Sequence, residues 1–365
     1  MKVRIVCYED VDAWILGKFA LRMQECLKEL KVESDISKFP DTSADINHHI
    51  IYLGYDGQSR GIDTLMITHI DTIDKLNLLK KQMTIASAGI CMSNETMSYL
   101  SRMGIDKKKL CYVNPAHDGV MRKRKIVIGL SCRVQVDGRK REYFLDKLSK
   151  TIDADYFKFK IMGDGWERQV NSLRKEGFEV DYFDHFNYSQ YIELIPSLDY
   201  YLYMGMDEGQ MGFIDAVAAG VKTIVTTQGY HLDASNAIIH PFTEYEELEN
   251  IFLNIEKGQK KLVNSVASWN WLDYTRKHIE LWNYLLDNRK NKSDFKDGIN
   301  SLLIPSDKSV VLGRSFVIEK TIKLWITKYF HFFYPKTKKL KETYASKGLA
   351  GVVALFVNKI LGGRI

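Results

Sequence analysis

The sequence predicts an α/β protein built as two doubly wound parallel sheets in tandem. Three observations carry this. Short apolar runs alternate with helical spacings through the first 120 residues, the same alternation restarts after the basic stretch 122–125, and 365 residues are too many for one ordinary domain. The predicted division is 1–120 for the first domain, 121–286 for the second, and 287–365 for a basic, aromatic C-terminal extension.

The first half opens with a buried strand over 3–8. Residues 14–30 follow as an amphipathic helix with Ile15, Phe19, Met23, Cys26, Leu27 and Leu30 on one face. Strands are expected at 50–53, 65–68 and 89–92; Ser93 then caps a helix through Arg102, which Gly104 ends, and 110–113 is another strand. In the second half the spacing predicts strands at 126–130, 157–162, 180–183, 200–203 and 223–226, with helices near 141–149, 166–176, 189–195 and 213–219. Late helices are expected at 244–255 and 273–286, and the polar stretch 288–300 reads as a linker or mobile loop.

Composition excludes several classes. With 45% hydrophobic and 27% charged residues, the chain is neither disordered nor fibrous. No apolar run reaches the roughly eighteen residues of a spanning helix, and the start MKVRIVCYED lacks the pattern of a signal peptide. Five cysteines without a CxxC pair fit reduced thiols, so a cytoplasmic location is expected. The net charge of +6 is unevenly placed: 289–365 carries 16 Lys and Arg against 5 Asp and Glu, leaving 36 basic against 41 acidic residues before it. A basic tail on an acidic body points to an anionic partner.

In open parallel sheets, ligands bind beyond the carboxyl ends of the strands, where helix amino termini offer free N–H groups. Four strand exits in the second half carry suitable chemistry. The first runs through Ser131-Cys132-Arg133 to Asp137-Gly138-Arg139-Lys140-Arg141, whose cations suit a diphosphate, although a solvated basic loop reads the same way. The second is Gly163-Asp164-Gly165, where glycines permit close backbone approach. The third is a glycine-punctuated loop, Met204 to Gly212, that opens a helix carrying Asp215. Gly209, Gln210, Met211 and Gly212 there are candidate anion donors, and Asp215 is equally explained by helix-dipole chemistry or by a ribose diol. The fourth is Thr227-Gln228-Gly229-Tyr230.

The order of these segments resembles the retaining GT-B glycosyltransferases of family four. The chain has Arg133, Lys140, Gly163-Asp164-Gly165, Asp207 with Asp215 eight residues later, and the run Ala216 to Val225. It also has Met92-Ser93-Asn94-Glu95, Gly104-Ile105, Lys109-Leu110 and Asn114-Pro115-Ala116-His117-Asp118, which look like that family's interdomain stretch. Ser268-Trp269-Asn270-Trp271 resembles a motif near its carboxyl end. The departures are two aspartates where glutamates are expected, an Arg–Lys spacing two residues longer, and Gln228-Gly229 for a double glycine.

The resemblance implies the GT-B architecture, with two Rossmann-like domains and an interdomain cleft. It assigns 1–120 to the acceptor side and 121–286 to a nucleotide-sugar donor. It implies transfer of a sugar to a glycan or lipid-linked acceptor in cell-surface polysaccharide biosynthesis, with retention and without a cofactor or metal. Arg133 and Lys140 are then expected to neutralise the diphosphate, Asp215 to hold the ribose, and Asp207 or Glu208 the sugar hydroxyls. His69 is expected to face the donor sugar and Gly17 to face the donor from the first domain, each with a packing or surface role as the alternative. Two DxD strings, Asp10-Val11-Asp12 and Asp153-Ala154-Asp155, are expected by chance and not as metal sites. For 318–365 the expected partner is an anionic membrane surface, making the protein peripheral on the inner face, and not a nucleic acid. A silent GT-B subunit that scaffolds a partner transferase, or a nucleotide-sugar epimerase or phosphorylase, are the rival readings.

Overall fold

A computed structural model describes residues 1–291, 299, 303 and 313–330. The chain divides into two compact units. One comprises 1–118 together with the described residues from 269 onward, and the other 119–268.

In the first unit, β1 (Lys2–Val6), β2 (Glu33–Ser37), β3 (Ile46–His49), β4 (Ile62–Ile67), β5 (Ala88–Cys91) and β6 (Leu110–Tyr112) form one sheet in the order β2-β1-β3-β4-β5-β6. Every pairing is parallel. Helices α1 (Ile15–Glu29), α2 (Ile73–Ile85) and α3 (Asn94–Arg102) connect strands. The Thr72 and Ser93 side chains accept from Lys75 N–H and Thr96 N–H at the starts of α2 and α3, satisfying donors that the helices leave unpaired. Gly104 follows α3 with φ +89°, as its role in ending that helix requires.

The second unit contains β7 (Ile126–Ser131), α4 (Tyr143–Leu148), β8 (Phe157–Met162), α5 (Glu167–Lys175), β9 (Glu179–Phe183), α6 (Tyr188–Leu194), β10 (Tyr200–Tyr203), α7 (Met211–Ala218), β11 (Lys222–Thr226), β12 (His240–Phe242) and α8 (Tyr245–Asn264). Its sheet order is β12-β11-β10-β7-β8-β9, again parallel throughout. The chain therefore winds outward from β7 in one direction and returns beside it at β10 to wind the other way. Two doubly wound units are what the sequence led one to expect.

Three differences have physical causes. The expected strand 50–53 is replaced by β3 at Ile46–His49 followed by a 3-10 turn at Tyr52–Gly54. Burial misled the pattern there, because Asn47, His48 and His49 are as fully buried as Ile50 and Tyr52. The strands β2 and β12 were not anticipated; both are sheet edges, one polar and one only three residues long with Pro241 inside it. Helix α9 (Trp271–Asn291), grouped by the sequence with the second domain, packs Trp271, Tyr274, Leu281 and Trp282 into the core beneath α1 and β1 of the first unit.

Helix α10 (Arg314–Phe330) also lies on the first unit. Leu324 and Val317 join the α2–α3 core, Thr321 meets the Tyr99 hydroxyl at 3.1 Å, and Lys320 and Lys328 pair with Glu95 and Asp74. The basic run 336–341 and the apolar run 349–361 of the extension lie outside the described residues. All five cysteines are free thiols.

Candidate functional site

The switch point of the second sheet lies between β7 and β10, where neighbouring strands lead to connections on opposite faces. The exit of β7 is Ser131-Cys132-Arg133, and the exit of β10 is the loop from Met204 into α7. They are joined by Ser131 Oγ to Tyr201 OH (3.0 Å) and by Gln210 Nε2 donating to the Ser131 carbonyl (2.6 Å). A Cβ on Gly212 would stand 2.2 Å from the Tyr201 hydroxyl and 2.3 Å from Ser131 Oγ, so the start of α7 needs glycine to lie this close to β7.

The exit of β8 closes against the same place. Gly163 has φ +134°, and a Cβ on it would meet the Cys132 carbonyl at 2.2 Å. Val134 N–H donates to the Asp164 carbonyl (3.0 Å) and Trp166 Nε1 to the Cys132 carbonyl (2.6 Å). The close approach expected of Gly163-Asp164-Gly165 is thus made to the neighbouring strand exit, and it holds the turn that presents Arg133. Arg133 is exposed, with no carboxylate in ion-pair range among the described residues. The neighbouring Cys132 thiol is pushed up to about 12 by burial, which leaves it protonated and unreactive.

The three cations of Arg139-Lys140-Arg141 face three different surroundings. Lys140 is buried, its Nζ 2.7 Å from both Asp207 Oδ2 and the Tyr203 hydroxyl. Arg141 is buried at φ +47°, donating to the carbonyls of Met204 and Thr243 and lying over the Phe144 ring. It ties the ends of β10 and β12 together. Arg139 is half-exposed, with Nη1 3.6 Å from Asp137 Oδ2 and Nε 3.7 Å from Asp207 Oδ2.

Asp207 is the centre of the β10 exit. Burial opposes its ionisation, yet the bonds from Lys140 and Tyr203 hold the carboxyl below its ordinary range. Burial, then the Asp207 carboxylate, pushes the Tyr203 phenol up, so Tyr203 remains the donor in their short hydrogen bond. Gly209 N–H points at Asp207 Oδ1 (3.4 Å) and Gln210 N–H at His231 Nε2 (3.0 Å). His231 is fully buried and its Nδ1 faces the Thr226 carbonyl at 3.1 Å, so Nδ1 carries the proton and Nε2 accepts; burial lowers its pKa and keeps it neutral. Of the four N–H groups expected to meet an anion, two are therefore engaged internally. Met211 and Gly212, at the start of α7, have no acceptor among the described residues. Glu208 is exposed, and its carbonyl accepts from Tyr230 N–H.

Asp215 sits one turn into α7, exposed, and accepts from the Tyr191 hydroxyl of α6 at 2.5 Å. Arg133, Arg139, Lys140, Gly163–Gly165, Asp207–Gly212 and Asp215 thus belong to one carboxyl edge of one sheet. His231, Tyr191 and Tyr203 went unnoticed in the sequence, since their roles arise from partners 21, 24 and 63 residues away.

The two remaining candidates are in the first unit. His69 follows β4 and is exposed, its Nε2 3.9 Å from Asp71 Oδ2. Gly17 is buried in α1, where a Cβ would stand 2.0 Å from the Val11 carbonyl, so packing alone demands glycine. Asp153, in one DxD string, accepts from Asp155 N–H and pairs with Lys260 at 3.2 Å, the work of a turn.

No protein-family model and no curated protein matches the chain. Among solved structures, it is similar to Anabaena HepE in complex with UDP and glucose (12% identity, 78% of this chain and 100% of that one, TM-score 0.32). It is also similar to a glycosyltransferase from Rickettsia africae (14%, 79% and 99%, TM-score 0.33) and to the lipopolysaccharide outer core galactosyltransferase WaaB (13%, 80% and 99%, TM-score 0.31). The fold itself rests on the order and direction of strands in each unit.

Proposed function

We propose that the chain is a glycosyltransferase that takes a sugar from a nucleoside diphosphate donor held at the β7–β10 switch point. The observation that carries this reading is that one sheet edge brings together the exposed guanidinium groups of Arg133 and Arg139, the N–H groups of Met211 and Gly212 that have no acceptor among the described residues, and the Asp215 carboxylate. In this reading the cations and the amino end of α7 stabilise charge on the departing diphosphate. Asp215, oriented by Tyr191, accepts from the ribose hydroxyls, and Asp207 or Glu208 lies on the sugar side. The protein's own cations supply the electrostatic work, so the reaction runs without a cofactor or metal. Retention, a glycan or lipid-linked acceptor on the side of the first unit, and a place in cell-surface polysaccharide assembly complete the proposal on the strength of the family resemblance.

A thermal-shift screen against the diphosphates of uridine, guanosine, adenosine and cytidine and their sugars tests it, followed by product analysis with the stabilising sugar nucleotide. Stabilisation by one base series and sugar transfer are expected; indifference to all four series refutes the reading. A silent scaffold is favoured by one observation, that Asp207 and Asp215 are both engaged by protein partners. Donor hydrolysis separates the two, because a scaffold does not turn over.

The peripheral membrane role is supported by α10. Beside its docked stripe it exposes Ile318, Ile322 and Trp325 with Lys323. No helix among the described residues is long and apolar enough to cross a membrane. Flotation with anionic vesicles, lost on deletion of 318–365, is the expected result; unchanged flotation removes the role.

A further inference from the structure

We infer that Arg139, not Lys140, is the second cation on the diphosphate, and that Lys140 is a positioning residue acting through Asp207. The inference rests on the donor reading above and names which side chains of that site meet the ligand. Its starting point is the division of labour in a run of three cations. Lys140 has a side chain only 8% exposed, and its ammonium is matched by the Asp207 carboxylate and the Tyr203 hydroxyl, each at 2.7 Å. Drawing that ammonium toward an incoming phosphate leaves a largely buried carboxylate without its counter-charge, which is a costly exchange. The pair is electrically closed. What it does instead is fix the Asp207 carboxylate, which also receives Gly209 N–H, and so it sets the path of the loop into α7.

Arg139 is placed differently. Its side chain is 46% exposed; Nη1 stands 3.6 Å from the exposed Asp137 carboxylate and Nε 3.7 Å from Asp207 Oδ2, both too far for a hydrogen bond. Its main chain is anchored, because its carbonyl accepts from Met206 N–H at 2.8 Å. An anchored backbone and a guanidinium fork held only by two long, solvent-facing ion pairs suit bidentate capture of phosphate oxygens. With Lys140 and Asp207 cancelling, Arg133 and Arg139 are the charges this edge of the sheet offers to a diphosphate.

The test is calorimetric titration of the full chain with uridine, guanosine, adenosine and cytidine diphosphates and the matching monophosphates. The readout is the ratio of diphosphate to monophosphate affinity for the base that binds. Arg139→Gln is expected to lower that ratio about tenfold, a loss the size of one charge-assisted hydrogen bond. Lys140→Met is expected to weaken both ligands together and leave the ratio in place, with Lys140→Arg restoring affinity. In an Asp207→Asn background the Lys140→Met effect is expected to vanish. That double variant also guards against misfolding, since it removes both partners of the buried pair. A ratio that collapses with Lys140→Met and survives Arg139→Gln overturns the inference while leaving the donor reading intact. So does a Lys140 effect undiminished by Asp207→Asn. A wild-type protein that binds no nucleoside diphosphate overturns the donor reading and this inference with it.

Discussion

Acid is predicted to destabilise the first unit through two histidines that its core keeps neutral. His48 on β3 and His278 on α9 are fully buried, with ring centroids 5.0 Å apart. His48 Nδ1 lies 3.0 Å from Thr64 Oγ1, and His278 Nδ1 donates to the Tyr274 carbonyl at 2.8 Å. Among the described residues the Nε2 atoms of both lack a partner, so an added Nε2–H would find no acceptor there. Burial lowers His278 from 6.5 to about 4, and burial followed by repulsion from His278 and His49 drives His48 well below 6.5. Because the folded values are depressed, the unfolded chain binds protons first. The stabilisation from neutral burial is complete above pH 6.5 and is lost as pH falls toward the folded value. For His278 the gap is 6.5 − 4, or 2.5 units. At 1.36 kcal/mol per unit this gives a loss of about 2 kcal/mol at pH 5 and about 3 kcal/mol at pH 4. Urea unfolding of wild type and His278→Leu between pH 8 and pH 4 isolates this contribution, because carboxylates titrate alike in both. The variant is expected to lose less stability than wild type by about those amounts. Parallel pH curves for the two proteins refute the reasoning.

Two further perturbations probe the packing that shapes each unit. Gly17→Ala places a methyl group against the Val11 carbonyl and is expected to cost about 2 kcal/mol in the same unfolding assay; an unchanged midpoint contradicts the packing account of that glycine. Arg141→Met removes the donors to the Met204 and Thr243 carbonyls and is expected to cost about 3 kcal/mol. A neutral result there means the tie between β10 and β12 is dispensable.

The carboxyl edge of the second sheet was legible because its strands are short, apolar and bounded by polar or glycine-rich turns. Expected strands at 157–162 and 200–203 coincide with β8 and β10, whose side chains enter the second core. Elements that do not alternate were harder: β2 is half-exposed and polar, and β12 is a three-residue edge strand pairing with β11. Helix α2 was not anticipated either, although Thr72 caps it. Within the candidate site, the order of motifs led to Arg133 after β7 and Asp207 after β10, as the chain has them, with Asp215 on the following helix. It gave no sign that Lys140, 67 residues from Asp207 in sequence, is buried against it, nor that His231 takes the Gln210 N–H. Pairing across such separations depends on how loops fold back over the sheet edge, and local spacing carries no record of that.

Hydrogen exchange of the full chain with and without the nucleoside diphosphate that stabilises it most tests the central claim directly. Slowed exchange confined to 131–139 and 209–213, including the Met211 and Gly212 amides, is the predicted result. Protection that spares both segments and appears elsewhere contradicts a diphosphate site at the β7–β10 switch point.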